Sequence, residues 1–278
     1  MRMGRSRHSG IAAAYDDPVE TGNTLLYMVR KKVLIVLLLG AVIVLGTTIS
    51  SSAAHAEPFD KPLQEKVMDL GRSPYLMPNS KMHVKLTCSY YPNFMVKELN
   101  DPGNKGALLI AIVPAQPGQI SECTRTHGPG EKVFKDWDGY FGGVKRDLVF
   151  LYASDGTNRG LGFGAFDSKT GAKIFGDSVS LDSHGELDFV HASDGQITLR
   201  YLRVFTGNCS VPKDRSACWS KFKDQLGLSL APMPECSDYQ GAHAGKAESV
   251  IAYPVEVSLF PKPSITALAN PVKCYPVD

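Results

Sequence analysis

The 278-residue chain contains no Cys-x-x-Cys pair, no His-x3-His spacing and no cysteine before Cys88. Tetrahedral zinc sites and thiol redox motifs are built on such short spacings, so neither is indicated. Surplus charge is also lacking: six of the 30 Lys/Arg and three of the 28 Asp/Glu fall in residues 1–56, which leaves 24 basic against 25 acidic residues beyond. A near-neutral body has no basic footprint for nucleic acid, and none is expected as a partner. Long apolar runs are missing too. The longest, residues 33–49, has 17 positions, at the lower limit for a membrane-spanning helix.

What is present near the start is an export signal. Arg30-Lys31-Lys32 precedes the apolar run, and Ala54-His55-Ala56 supplies small residues at a cleavage site. The sequence therefore divides into residues 1–27, an over-extended reading frame or disordered extension before a true start at Met28; residues 28–56, a signal peptide; and residues 57–278, a single exported β-rich domain. The expected location is periplasmic or extracellular. The alternative is anchoring to the membrane through residues 33–49, and no other membrane contact is expected.

All six cysteines lie in the exported part, as three disulfides in an oxidising compartment would require. Pairing neighbours in order joins Cys88 with Cys123, Cys209 with Cys218, and Cys236 with Cys274, one of the 15 connectivities possible.

Residues 62–71 place Leu63, Val67 and Leu70 on one helical face between Pro62 and Gly71, which predicts a short helix. The period then changes. Met82, Val84, Leu86, Cys88 and Tyr90 alternate with polar neighbours as in a half-buried strand, with Cys88 inward and His83 on the wetter face. Further strands are predicted at 107–113, 147–153, 161–166, 187–192 and 197–205, separated by Gly, Asp and Asn turns. A second helix is predicted from Ser216 to Gly227, with Trp219, Phe222 and Leu226 on one face. Pro254 within 249–260 predicts an edge strand or a bulge.

Phe150-Leu151-Tyr152-Ala153-Ser154-Asp155-Gly156 recurs 39 residues later as Phe189-Val190-His191-Ala192-Ser193-Asp194-Gly195. Asp167-Ser168-Lys169-Thr170-Gly171 resembles the turn of many propeller repeats, and a propeller-like repeat of about 39 residues is the alternative fold. The preferred fold is mainly β: one β-sandwich or barrel-like domain with two short helices and three disulfides.

Candidate chemistry is sparse. Gly176-Asp177-Ser178 resembles the Gly-Asp-Ser block of the GDSL (SGNH) hydrolases. That resemblance implies Ser178 as nucleophile and His191, in Asp188-Phe189-Val190-His191, as base. Only ten residues separate Asp177 from Asp188, however, where that family inserts a doubly wound α/β domain. Gly160-x-Gly162-x-Gly164 lacks the third glycine spacing and following helix of a dinucleotide loop. Asp155 and Asp167 lie in oxygen-rich turns that fit Asx turns better than a calcium loop. The most distinctive stretch holds Asp136, Trp137, Asp138 and Tyr140. It offers a ring platform for a ligand and, if both aspartates share a strand face about 7 Å apart, paired carboxylates for glycan hydrolysis. No cofactor or metal site is indicated. The expectation is a non-catalytic binding or envelope-associated module with an unknown ligand or envelope partner. The alternative is a secreted hydrolase using Ser178/His191 or Asp136/Asp138.

Overall fold

The computed structural model describes residues 59–115, 120–191, 196–236, 239 and 248–278, so the readings of residues 1–27, of the 28–56 signal and of the 33–49 anchor lie outside them. Two antiparallel sheets account for the described strands. The first is a five-stranded meander of β1 (Gln64–Arg72), β2 (His83–Tyr90), β3 (Phe94–Asn100), β4 (Leu109–Pro114) and β5 (Lys132–Val133). The second runs from β6 (Gly139–Lys145) through β7 (Leu148–Thr157), β8 (Gly160–Asp167) and β9 (Lys173–Ser180) to β11 (Ile197–Thr206) and β12 (Ser249–Ser258). Three short strands complete it: β10 (Asp188–His191) on β11, and β13 (Ser264–Ala267) and β14 (Lys273–Pro276) on β12. The described strands close no barrel.

Strand alternation sorts side chains into separate cores. In β7, Leu148 and Phe150 enter one cluster while Val149 and Leu151 enter another. The second cluster also takes Phe94, Val96, Ile110 and Ile112 from the five-stranded sheet, so it seals the seam between the sheets. The opposite face of the five-stranded sheet gathers Val84, Leu86, Cys88, Met95 and Leu99. Residues 120–131 are tied to that face. Tyr90 donates its hydroxyl to the Ser121 carbonyl (3.1 Å), Cys88 is bonded to Cys123, and buried Lys97 donates to the Thr126 carbonyl (2.9 Å) and Glu131 (2.7 Å). Cys209–Cys218 and Cys236–Cys274 complete the expected pairing.

One α-helix is found among the described residues, not two. Residues 64–72 form β1, because the free edge of β2 offers a full antiparallel ladder, whereas an isolated ten-residue helix is marginal in water. Met68 and Leu70 turn inward, and the expected helical face is lost: Leu63 is 74% and Val67 53% exposed. The true helix, α1 (Val211–Leu226), starts five residues earlier than Ser216, after Ser210. It breaks at Arg215 (φ 41°), immediately before Ser216, and ends as expected at left-handed Gly227. Cys218, Trp219, Phe222 and Leu226 form its buried stripe against the large sheet.

Pro254 lies in neither an edge strand nor a bulge. One side of β12 is paired with β11 throughout, and the other is shared by β14 at residues 249–252 and β13 at 255–258. Pro254 falls between them, its carbonyl accepting from Leu268 N–H at 2.9 Å, so its missing N–H faces the junction of the two short strands and leaves the β11 ladder intact. The repeat resolves into two hairpins of one sheet, β7–β8 and β10–β11, rather than separate blades; residues 192–195 of the second copy lie outside the described residues. The repeated Phe150 and Phe189 meet at 5.3 Å, and both rings pack on Phe59.

Candidate functional site

An open cleft of about 790 Å³ lies where β6, β7 and β8 meet the β9–β10 connection, and its walls follow from two local features. The first is register. Tyr140 on β6 lies directly opposite Tyr152 on β7, so both side chains leave the same face. The close strand approach depends on Gly139: a Cβ there would lie 1.8 Å from the Tyr152 carbonyl oxygen, which no rotamer change relieves.

The second feature is the connection from β9 to β10. Leu181–Ser183 make one 3-10 turn, capped by the Ser180 hydroxyl, which accepts from Asp182 N–H. His184 (φ 56°) and Gly185 (φ 72°) are both left-handed and reverse the chain. His184, Glu186, Leu187 and Asp188 then line the cleft opposite the tyrosines. Asp182 holds this wall in place: it accepts the Tyr275 hydroxyl and lies 3.5 Å from Arg159 and 3.8 Å from Lys273. The Tyr275 hydrogen bond, with these cations, holds the Asp182 carboxyl below its ordinary value. As Tyr275 adjoins Cys274, the Cys236–Cys274 disulfide supports the same wall.

Phe59, Leu161 and Ser154 complete the cleft's character. Burial pushes the Tyr152 phenol well above its ordinary value, keeping it a neutral donor at neutral pH. The Glu186 and Asp188 carboxylates have no hydrogen-bond or ionic partner among the described residues, and no Lys or Arg lines the cleft.

Of the four residues singled out in sequence, only Tyr140 reaches this cleft. Trp137 is half-buried at the seam, edge-on to Phe166 (5.6 Å), with its indole N–H donated to the Tyr152 carbonyl (3.1 Å) and Lys173 5.6 Å above its ring. Asp136 and Asp138 are exposed in the turn before β6, so they do not share the strand face that carboxylate pairing would need. The Asp138 backbone carbonyl instead accepts from Ser154 N–H at 3.1 Å. Phe59, Tyr152, His184 and Glu186 were not foreseen as site residues, and Asp188 only as part of the Asp-x-x-His block, because register and a reversing turn bring them together.

The Gly-Asp-Ser block is the middle of β9. Asp177 accepts the Tyr201 hydroxyl (2.5 Å) and Arg203 Nε (3.0 Å), and Ser178 sits opposite Gly162 in the ladder. Val179 and His191 pair with Arg203 and Ile197 of β11, respectively. Ser178, one position further along, lies opposite Val204, so about seven residues of strand rise, roughly 23 Å, separate Ser178 and His191 along the sheet. The Asp167 turn likewise has a local role, its carboxylate accepting both the N–H and the hydroxyl of Thr170 at 2.7 Å.

A second pocket, of about 570 Å³, lies on the other side of Tyr140. It is lined by Lys81, Lys85, Asn100, Asp101 and a 2.6 Å His83–Asp69 pair. No described helix is long and apolar enough to cross a membrane. Comparison with protein-family models, with curated proteins and with solved structures finds no match to this chain.

Proposed function

We propose that this chain is an exported, non-catalytic binding protein of the periplasm or extracellular space, built as a sandwich-like pair of sheets with its ligand in the Tyr140–Tyr152 cleft. Three disulfides among the described residues suit an oxidising compartment. The observation that carries the binding reading is the cleft itself. Its volume of about 790 Å³ falls in the range of small-molecule sites, and aromatic walls converge with a few unpaired polar groups. Catalysis has less support, since the Ser178 and His191 positions lie far apart along the sheet and Asp136 and Asp138 lie outside the strand face that their pairing assumed.

The test is a fragment titration of the oxidised full chain, read by amide chemical shifts, with neutral saccharides, amines and carboxylic acids as probes. Shifts are expected to gather on Tyr140, Ser154, Leu161 and residues 184–188. Hits confined to other surfaces would overturn the reading. So would turnover of 4-nitrophenyl acetate or 4-nitrophenyl glycosides that disappears in Ser178→Ala or Asp136→Asn.

A further inference from the structure

The cleft combines two independent features that favour the same ligand chemistry. Three aromatic residues, Phe59, Tyr140 and Tyr152, are among its lining, and aromatic ring faces carry partial negative charge. Glu186 and Asp188 add two carboxylates that have no partner among the described residues, and apart from the His184 imidazole no basic side chain lines the space. The two carboxylates disfavour an anionic ligand. A divalent metal would find two carboxylates where six or more oxygen ligands are needed, and no group of three potential metal ligands occurs among the described residues. Resting on the binding reading above, we infer that the cleft takes an organic cation, an amine or quaternary ammonium group held over the aromatic faces and balanced by Glu186 and Asp188.

The pocket across Tyr140 supplies an internal control. Its Lys81 and Lys85 present the opposite charge, so substitutions there should not alter recognition of a cation in the cleft.

Choline and its uncharged isostere 3,3-dimethylbutan-1-ol, titrated separately into the full chain at low ionic strength, differ in charge at nearly constant shape. Choline is expected to bind about tenfold more tightly, with shifts on Tyr140 and residues 184–188. The Glu186→Gln/Asp188→Asn double variant should bring the two probes together while leaving Tm unchanged, because both carboxylates are exposed and unpaired. Lys81→Gln/Lys85→Gln should leave the preference intact. Equal binding of both probes, choline shifts outside the cleft, or no choline binding would each overturn the inference. If other fragments still occupied the cleft, the binding reading would stand without it.

Discussion

The outer face of the five-stranded sheet and the α1-facing side of the nine-stranded sheet are both apolar and both covered, yet their covers are held by different forces. Helix α1 contributes Trp219, Phe222 and Leu226 to its own core, so it adheres by apolar area. Residues 120–131 contribute little besides Cys123, and Ile120 is 79% exposed. That segment is held by a disulfide and by the buried Lys97–Glu131 pair, whose side chains are 0% and 6% exposed. A cover without apolar area needs tethers, and tethers can be cut singly.

The largest effect is expected from cutting the ionic one. Lys97→Ala leaves the Glu131 carboxylate buried without its main cation, a loss of about 3–5 kcal/mol for a broken buried pair. The paired replacement Lys97→Met/Glu131→Leu should recover most of it, since no uncompensated charge then remains. Urea unfolding measures both. A loss well below 1 kcal/mol for Lys97→Ala would mean that the ion pair does not hold the cover, and the contrast with α1 would fail.

The covalent tethers come next. Removing Cys88–Cys123, which spans 35 residues, should cost about 4 kcal/mol, and removing Cys209–Cys218, which spans nine, about 3 kcal/mol, on loop-closure entropy. The sharper distinction is local. Cys88→Ser/Cys123→Ser should open residues 120–131 to hydrogen exchange, whereas Cys209→Ser/Cys218→Ser should leave α1 protected by its aromatic stripe. Equal opening of both covers would remove the distinction.

These two covers also show what could be read from sequence. The Trp219, Phe222 and Leu226 stripe was legible because helical packing is local and periodic, and the alternation from Val84 to Cys88 was legible for the same reason. The grip of Lys97 on Glu131 was not, since it joins residues 34 apart through a fold that must already exist. Residues 64–72 misled because their helical spacing is local, whereas the β2 edge that captures them is not. The same limit governs the cleft. Tyr140 stood out as an aromatic in an unusual stretch, but its partner Tyr152 depends on the β6–β7 register, and Glu186 and Asp188 depend on two left-handed residues that no composition argument demands. The Phe150 and Phe189 repeat carried information: it marked the two rings that hold Phe59 at the cleft margin.

Between the two covers lies the seam, where a single carboxylate has been taken between the sheets. Glu98 on β3 accepts Phe141 N–H of β6 at 2.8 Å, with the Asn100 amide nearby. Burial nevertheless raises its pKa, outweighing these favourable interactions. A carboxyl whose folded pKa is raised holds its proton more tightly when folded, so its contribution is most favourable below the ordinary value of 4.5 and is lost as pH climbs through the raised value. Glu98→Gln should therefore match the parent near pH 4 and exceed it at pH 7, with the gap in Tm opening between those limits. The amide keeps an acceptor for Phe141, and a flip of Asn100 lets its Oδ1, which has no partner among the described residues, receive the new N–H. This is the smallest of the three effects because one partly buried group is involved and no tether is cut. A Tm difference that stays constant from pH 4 to 7 would show that packing, rather than desolvation of a charge, governs Glu98 and that the seam behaves like the α1 cover.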